Sequence, residues 1–240
     1  MKYKYETHLH TSQGSACGSS MAEDYVYPYY EAGYSGFFVT DHFFGGNTAV
    51  PRDLDWASRI NLYCSGYEKA LETAKKLNTE KNILNTPDEF KVFFGIEQTF
   101  QGDDYLIYGL SKEWLLKHPE FERMNQTEVF EAVNMNNGLM IQAHPFRLRG
   151  YIQAIHIHPR DIHGIEILNA GNAPEENELA EHYAKIYNFP VTAGSDIHHV
   201  NKLINGDGGI PVTGMEFDKP LLNLQDYVER IKNHQGSIIR

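Results

Sequence analysis

Short runs of β-branched and aromatic residues in this sequence end repeatedly in a histidine or a carboxylate. Five such runs are followed by these residues: His8 and His10 after KYKYET, Asp41 and His42 after GFFVT, Glu97 after KVFFGI, His144 after LMIQA, and Asp196 and His198 after PVTAGS. In a parallel α/β barrel the C-terminal ends of all strands open on one face, so residues far apart in sequence can share one pocket. Imidazoles and carboxylates are metal ligands. The pattern therefore indicates a hydrolytic site with several metal ions.

The runs belong to a regular alternation of strands and helices. Strands are predicted at residues 2–6, 36–40, 91–96, 105–110, 139–143, 164–168 and 190–193. Helices are predicted at residues 22–32, 54–77, 127–136, 175–187 and 224–233. No linker or low-complexity segment divides them, so we expect a single domain over residues 1–240. The alternation favours an α/β fold with a parallel sheet, and the length fits one barrel.

The charge balance narrows the partners that we expect. Lys and Arg total 21 against 32 for Asp and Glu, a net charge of −11 with neutral His. This charge gives no global field that would attract nucleic acid, and a phosphate-bearing substrate would need local positive charge. Two cysteines do not make a disulfide framework. The sequence shows no signal-peptide core and no long apolar run. We expect a reduced, cytoplasmic protein without a membrane segment; its oligomeric state is not indicated.

One connection is too short for a parallel crossover. Only eight residues, 97–104, separate the strand at 91–96 from the strand at 105–110, whereas a crossover needs roughly a dozen or more. The two strands should therefore form an antiparallel hairpin. The start of the second strand would then lie beside the end of the first, which brings Asp103 or Asp104 close to Glu97. Asp104 is thereby a predicted metal ligand.

The spacing of His8 and His10 suits a shared ion. Side chains alternate along an extended segment, so the two imidazoles point one way while Leu9 points into the core. The same period relates Asp196 to His198. A strand with polar residues on one face would explain a single such pair, but it does not explain the same chemistry after five strands.

Adjacent residues in an extended segment diverge. His42 should therefore face the pocket, and Asp41 should orient a neighbouring ligand from outside it. Asp41, Glu97 and Asp196 are the predicted catalytic residues. His199 directly follows His198 and could reach the rim to bind substrate, although exposure to solvent is the simpler explanation.

A second His-X-His segment provides an internal comparison. His156 and His158 precede the predicted strand at 164–168 instead of following a strand. They should lie in a connecting loop or toward the opposite rim of the barrel. We therefore expect a structural or surface role for them and no metal binding.

The order of these motifs resembles that of the PHP family, named for polymerase and histidinol phosphatase. The likeness covers nearly the whole chain from His8 to His198. It implies a distorted TIM-like barrel of about seven strands that holds two or three divalent ions, usually Mn, Fe or Zn, and hydrolyses phosphoesters. It also implies these ligand sets: His8, His10, Glu97 and Asp196 for one ion, Glu97 as a bridge to a second ion that His144 also binds, and His42 and His198 for a third.

Two positions depart from the family pattern. Asp104 stands where many members have a histidine, and a carboxylate shifts the preference toward harder ions such as Mn or Fe. Some members supply a histidine for the third ion a few residues after HxH, but residues 11–18 contain none. Cys17 could replace it as a ligand, although a small buried cysteine is the favoured interpretation. The sequence leaves the third site open.

Two cations about 3.5 to 4 Å apart can activate a bridging water as hydroxide and stabilise the attacking and leaving oxygens of a displacement. No side-chain nucleophile is then needed. Arg147 and Arg149 follow His144 closely, and a guanidinium suits phosphate oxygens. Arg147 is the stronger of the two predicted phosphate contacts, against a structural salt bridge. Asn169, at the end of GIEIL, should reach the rim as a hydrogen-bonding group near the substrate.

We predict a metal-dependent phosphoesterase whose partner is a small phosphomonoester, as for histidinol phosphatases. Three alternatives stay open. A nuclease or oligonucleotide phosphodiesterase would share the chemistry, but the chain lacks a basic stripe. A C–N hydrolase on an amidohydrolase barrel would share HxH and the late Asp, but would normally want a strand-borne lysine or a further strand-end histidine. A non-catalytic barrel that binds metal or phosphate is the third.

Overall fold

Nine strands form one sheet in the part of the chain that the structure, a computed structural model, describes: residues 2–150, 152–204 and 212–240. The strands are β1 (Tyr3–Glu6), β2 (Gly36–Val39), β3 (Lys91–Phe100), β4 (Asp103–Tyr108), β5 (Leu139–Gln142), β6 (Gly164–Asn169), β7 (Val191–Gly194), β8 (Gly214–Phe217) and β9 (Ser237–Ile239). Their order across the sheet is β7-β6-β5-β4-β3-β2-β1-β8-β9.

The expectation of about seven strands is wrong, because β8 and β9 add to the seven that the sequence predicts. These two strands have four and three residues. They become strands by pairing with a neighbour that the local sequence does not reveal. β8 lies antiparallel to β1, and β9 lies antiparallel to β8.

The helices are α1 (Val26–Glu31), α2 (Trp56–Glu80), α3 (Lys112–Lys117), α4 (Gln126–Met135), α5 (Pro174–Tyr187), α6 (Asn201–Ile204) and α7 (Leu224–Lys232), with 3-10 turns at Ala22–Tyr25 and Pro119–Arg123. The five predicted helices are confirmed, and the short α3 and α6 are additions. Local caps explain where the longer ones begin. The Asp55 carboxylate accepts a hydrogen bond from the Ser58 N–H at the start of α2. Asn125 and Glu128 cap the start of α4 reciprocally.

The sheet contains two parallel groups of three strands, which the antiparallel strand β4 separates, and the antiparallel pair β8 and β9 follows β1 at one edge. β1, β2 and β3 are parallel, and so are β5, β6 and β7. β4 runs antiparallel to both of its neighbours. The predicted hairpin is therefore confirmed, with Thr99 on β3 opposite Asp104 on β4. The turn passes through Gln101 and Gly102, which have φ values of 53° and 93°.

The sheet curls into a nearly closed barrel, because the chain beyond β1 meets the chain beyond β7. The Thr7 hydroxyl donates to the carbonyl of Ala193 at 2.6 Å. Farther on, Leu9 and Ile197 form a parallel bridge, and the Asp196 N–H donates to the carbonyl of His8 at 2.9 Å. The segments that carry two predicted ligand pairs are thus joined directly by main-chain hydrogen bonds.

Helices cover the outside of the barrel, with α2 against β3 and α5 against β6. Apolar side chains fill both the interior and the space beneath these helices. Among the helices described, none has the length and apolar character that a membrane crossing requires. The C-terminal ends of the parallel strands share one rim, which is where the polar side chains collect.

Candidate metal centre

Side chains that follow β1, β2, β5 and β7 meet side chains of β3 and β4 at one rim of the barrel. Their ligand atoms form four overlapping groups, each within 4.8 Å: His8, Glu97 and His144; His8, His10 and Asp196; His42, Glu97 and Asp104; and His10, Cys17, His42 and His198. Every predicted metal ligand belongs to at least one group. Because the groups share residues, the ligands form one continuous centre.

His8 and His10 face each other across the space where an ion would lie. Both are fully buried, and Leu9 between them is buried in the core. Their Nε2 atoms are 3.1 Å apart. Two nitrogens that each lie about 2.1 Å from one ion, at a right angle, are separated by about 3.0 Å. The pair therefore has the spacing of two ligands of one ion.

The two carboxylate oxygens of Glu97 face different imidazoles. Oε1 lies 3.1 Å from Nε2 of His8 and 3.4 Å from Nε2 of His144. Oε2 lies 3.3 Å from Nε2 of His10 and 2.7 Å from Nδ1 of His42. The last two atoms are close but not aligned for a hydrogen bond, and both are buried without a hydrogen-bond partner. A cation between them would satisfy both, so the donor set fits metal ions and Glu97 can bridge two of them.

His144 and Asp196 adopt a backbone conformation that side chains other than glycine rarely take. Their φ values are 29° and 53°. Such conformations cost energy and persist where the surroundings impose them, often at functional sites. The backbone turn places Oδ1 of Asp196 3.1 Å from Nε2 of His10 and 3.5 Å from Nε2 of His8. The carboxylate thereby joins the two imidazoles.

Glu166 supports these ligands from behind, and it is not among the residues that the sequence predicts for the site. Its Oε1 lies 2.9 Å from Nδ1 of His8. Its Oε2 accepts hydrogen bonds from the His144 N–H and from the Asn169 side-chain amide. A carboxylate at Nδ1 leaves Nε2 of the imidazole free for a metal. The available signal was a glutamate inside the apolar run GIEIL, because a charged residue on a buried strand needs a partner.

Asp41 lies beside the ligands, in the position that the sequence predicts for an orienting residue. Its carboxylate accepts hydrogen bonds from the Thr11 N–H and hydroxyl and from the Ser15 hydroxyl. The Ser15 hydroxyl oxygen in turn lies 3.0 Å from Nδ1 of His10. Asp41 is buried against Thr11 and Ser15 and belongs to none of the ligand groups found among the described residues, whereas His42 contacts Glu97. The predicted divergence of the two adjacent side chains is therefore confirmed.

Asp104 reaches the centre from the neighbouring strand. Its Oδ2 lies 3.9 Å from Nε2 of His144, and its Oδ1 accepts a hydrogen bond from the Thr99 hydroxyl directly across the hairpin. Burial, together with the nearby Glu97 carboxylate, raises the pKa of Asp104 to about 6. A cation near these two carboxylates would relieve their repulsion.

The close packing of imidazoles and carboxylates separates their pKa values. Burial favours the neutral form of Glu97, but the imidazoles of His42 and His8 outweigh burial and hold its pKa well below the usual range. Burial also disfavours a charged His42, yet Glu97 raises the pKa of that imidazole to about 11. For His10, burial dominates and lowers the pKa to about 3. Glu97 is thus ionised and His10 neutral, which are their metal-binding forms, whereas His42 would release a proton on binding an ion.

Cys17 is exposed, so the interpretation of a small buried cysteine is wrong. The reason is that residues 11–18 form a loop over the rim and not a strand in the core. Partial burial opposes ionisation of the Cys17 thiol, but the neighbouring imidazoles of His198 and His42 outweigh it and lower the pKa to about 6. Cys17 therefore shares the centre with the predicted ligands.

Arg147 lies at the edge of the centre and is held by three partners. It forms an ion pair with Oδ2 of Asp196 at 2.7 Å, and it donates hydrogen bonds to the side-chain oxygens of Asn169 and Asn172. Burial opposes its charge, but Asp196 outweighs burial and raises the pKa of Arg147. Arg147 is thus a fixed positive charge that orients Asp196.

The other predicted substrate-binding residues differ in position. Asn169 is fully buried and connects Glu166 to Arg147. Arg149 turns to the Glu176 carboxylate at 2.9 Å, and His199 accepts a hydrogen bond from the Asn201 N–H. The structure therefore brings Asn169 into the centre and leaves Arg149 and His199 outside the ligand groups.

The second His-X-His segment lies in the loop before β6, as predicted. The His156 imidazole contacts the Asp103 carboxylate at the start of β4. His158 lies 6.1 Å from the ring of Tyr105, between ring centroids. Neither residue belongs to the four ligand groups found among the described residues.

A cavity of about 470 Å³ opens above the ligands. Its lining residues are Cys17, His42, Gly46, Asn47, Glu97, Thr99, Gly102, Asp104, His144, Arg147, Asp196 and His198. A groove of about 510 Å³ lies elsewhere, between α2 and β3. It is lined by none of the metal-ligand groups, so the polar cavity above the ligands is the candidate site.

A family model described as PHP-associated matches residues 174–203, a segment that contains α5, β7 and the SDxH motif. No curated protein matches the chain. The fold resembles that of a two-domain protein from Bacteroides vulgatus that contains a predicted PHP-like metal-dependent phosphoesterase, with a TM-score of 0.69 and 17% identity. The alignment covers 100% of this chain and 65% of the Bacteroides protein, so the chain spans less than two thirds of that relative's length.

Two further solved structures share the fold. One is a Bifidobacterium adolescentis protein whose metal-dependent phosphoesterase activity is also a prediction (TM-score 0.58, 15% identity, 97% of this chain and 96% of the other). The other is an amidohydrolase from Chromobacterium violaceum with bound sulfate and no metal. Its TM-score is 0.50 at 12% identity, and the alignment covers 99% of this chain and 98% of the Chromobacterium protein. With the family match, these likenesses confirm the resemblance to the PHP family and the barrel fold.

Proposed function

We propose that the chain is a metal-dependent phosphoesterase that hydrolyses a small phosphomonoester. The observation that supports this most is the buried Glu97 carboxylate, whose two oxygens face different sets of imidazoles. A shared carboxylate of this kind brings two cations within a few ångströms of each other. When bound, such cations activate water and neutralise the charge of the phosphoryl group.

The residues divide this work between holding and orienting. His8, His10 and Asp196 would hold one ion with Glu97, and His144 and Asp104 would help Glu97 to hold a second. Behind them, Glu166 fixes the His8 ring, and Asp41 fixes His10 through the Ser15 hydroxyl. These buried contacts keep the ligands in place when no ion is bound.

A small anionic substrate fits the cavity better than a nucleic acid does. A volume of about 470 Å³ lies within the range of roughly 300 to 1,000 Å³ that small-molecule sites occupy. The lining contains three carboxylates and one guanidinium, that of Arg147, so a phosphate would be attracted mainly by bound cations. With a net charge of −11, the protein offers little to a polynucleotide backbone.

Arg147 is the proposed phosphate contact beside the ions. Its guanidinium lines the cavity while it pairs with Asp196. A phosphoryl group near Asp196 would thus meet a planar donor that is already oriented. Asn169 and Asn172 hold that donor in place.

The test is a substrate panel with defined metals. The protein is stripped with a chelator, reloaded with Mn, Fe(II) or Zn, and assayed on phosphomonoesters, phosphodiesters, an oligonucleotide and cyclic amides. We expect monoester hydrolysis that depends on metal, and Asp196→Asn should lower kcat/KM by more than about 100-fold because it removes the charge of a direct ligand of the first ion. Asp218→Asn is the matched control, since its side chain is 88% exposed.

The panel also separates the alternatives. Cleavage of diesters and oligonucleotides in preference to monoesters would favour the nuclease alternative, and cleavage of cyclic amides alone would favour a C–N hydrolase. The proposal fails if the metal-loaded protein cleaves no phosphoester, or if Asp196→Asn retains the activity of the wild type.

A further inference from the structure

The main chain fixes the position of Cys17 from both sides. The Ala16 N–H donates to the carbonyl of Asn47 at 2.8 Å, and the Ser19 N–H donates to the carbonyl of His198 at 2.9 Å. The Ser19 hydroxyl also donates to that carbonyl at 2.9 Å. The loop therefore joins the segment after β2 to the segment after β7. The thiol is held at the rim, although its side chain is exposed.

Three imidazoles surround this thiol. The ligand atoms of His10, Cys17, His42 and His198 all lie within 4.8 Å of one another. The His10 ring stacks on the His198 ring with centroids 4.3 Å apart, and it lies 4.5 Å from the His42 ring. His10 is fully buried, so this side of the cluster is closed to solvent. A sulfur atom beside several imidazole nitrogens is a donor set typical of zinc.

The tautomer of His198 supports a ligand role. Its Nδ1 lies 2.7 Å from the carbonyl oxygen of Asp196. A carbonyl can only accept, so Nδ1 carries the proton and Nε2 keeps a lone pair. Metal-binding histidines are commonly oriented by this kind of backbone contact. The arrangement leaves His198 ready to bind a cation through Nε2.

We propose that Cys17 is a thiolate ligand of the third ion, for which the family resemblance implies only His42 and His198, and that this ion is zinc. This inference rests on the metal binding in the proposed function. It adds a sulfur ligand at one side of the centre. At the other end, Glu97 and Asp104 supply oxygen atoms. Sulfur favours zinc over manganese, whereas carboxylates favour manganese and iron. One centre would then hold chemically different ions, and the Cys17 proton would leave to solvent as the Zn–S bond forms.

Cobalt(II) substitution tests the sulfur ligand without any assay of activity. Cobalt occupies zinc sites and gives an intense near-ultraviolet charge-transfer band only when a thiolate is bound to it. We expect this band in the wild type and in Cys64→Ser, and its loss in Cys17→Ser. Cys64 is the matched control because it is the other cysteine of the chain and is buried in α2. A band that persists in Cys17→Ser, or is absent from the wild type, overturns the proposal.

A second variant guards against simple misfolding. Cys17→His replaces the thiolate with another zinc ligand, so it should retain zinc but lack the charge-transfer band. Cys17→Ser should lose about one zinc ion per chain when the protein is loaded with zinc and manganese together, while its manganese content stays unchanged. Equal zinc contents in Cys17→Ser and the wild type would contradict the proposal.

The two proposals can fail separately. A protein that cleaves no phosphoester could still show the Cys17-dependent cobalt band, which would overturn only the proposed function. A protein that hydrolyses monoesters but shows no such band would overturn only the thiolate site.

Discussion

The chain contains two His-X-His segments, and they have opposite surroundings. His8 and His10 are fully buried, follow a strand, and have Nε2 atoms 3.1 Å apart. His156 and His158 precede a strand, and the side chain of His156 is 35% exposed. The first pair faces Glu97 and Asp196, whereas His156 meets only Asp103 among the described carboxylates.

The difference shows that the His-X-His spacing alone does not make a metal site. Both segments place alternate imidazoles on one side of an extended chain. Only the first does so directly after a strand, where Glu97 and Asp196 face both of its imidazoles. The supporting Glu166 carboxylate then fixes the tautomer of His8. Whether a His-X-His segment can bind metal depends on its position relative to a strand end and on the residues that contact the far side of its imidazoles.

The strongest challenge to this comparison is to remove one imidazole from each segment. His8→Ala should lower the affinity for divalent metal by more than about 100-fold, because a buried ligand contributes more than an outer partner does. His156→Ala should leave the affinity within about twofold, since surface contacts contribute little. Isothermal titration with Mn and Zn measures both. Similar losses of metal affinity in the two variants would show that the two His-X-His segments do not differ in metal binding.

Gly194 allows His8 to be moved without changing any ligand. A Cβ atom at Gly194 would lie 2.3 Å from Cβ of His8 and 2.9 Å from Oε1 of Glu166. Gly194→Ala should therefore displace the ring, destabilise the fold by roughly 1–3 kcal/mol and lower metal affinity by about 10- to 100-fold. Gly150→Ala is the control, because a Cβ there meets nothing within 4 Å. Metal titration and thermal unfolding of the two variants measure these effects. Wild-type affinity in Gly194→Ala would show that metal binding does not depend on the position of the His8 ring against Glu166.

Glu166→Gln sharpens the comparison by keeping the shape and removing the charge behind His8. The variant should bind metal about 10- to 100-fold more weakly, the usual cost of losing an outer carboxylate. Glu216→Gln, a glutamate on β8 whose side chain is 24% exposed, should bind metal as the wild type does. Competition with a chelating dye measures both affinities. No difference between the two variants would show that Glu166 is not a support.

The smallest effect on metal binding is expected at His163, a histidine outside the centre that contributes to the stability of the fold. Burial, with a contribution from Lys232, lowers its pKa to about 4, and its Nδ1 accepts a hydrogen bond from the Met140 N–H. The unfolded chain binds this proton more readily, so stability is full above pH 6.5 and declines as the pH falls toward 4. The loss should be roughly 1–3 kcal/mol, and His163→Asn should remove it. Urea unfolding at several pH values tests this, and an unchanged pH dependence in His163→Asn would refute it.

The sequence was most informative where local rules apply. Strand ends, side-chain alternation and the short connection before β4 predicted the rim, the ligands and the place of Asp104. These features depend on residues a few positions apart. The resemblance to the PHP family added the sharing of Glu97, which spacing alone does not indicate.

What the sequence could not predict depends on contacts between distant segments. β8 and β9 form by pairing with β1 and with each other. Glu166 meets His8 across 158 positions of the chain, and Cys17 becomes exposed because its loop is bonded to residues 47 and 198. Contacts in the tertiary structure decide each of these, and the glutamate inside the apolar run GIEIL was the one local signal among them.

The most direct test of a shared metal centre is the metal content of the wild type and of Glu97→Gln after loading and exhaustive dialysis, determined by elemental analysis. We expect about two or more divalent ions per wild-type chain and a clear loss in Glu97→Gln, because one carboxylate serves more than one ion. Equal metal contents in the two proteins, or no retained metal in the wild type, would contradict the existence of a shared centre at the strand ends.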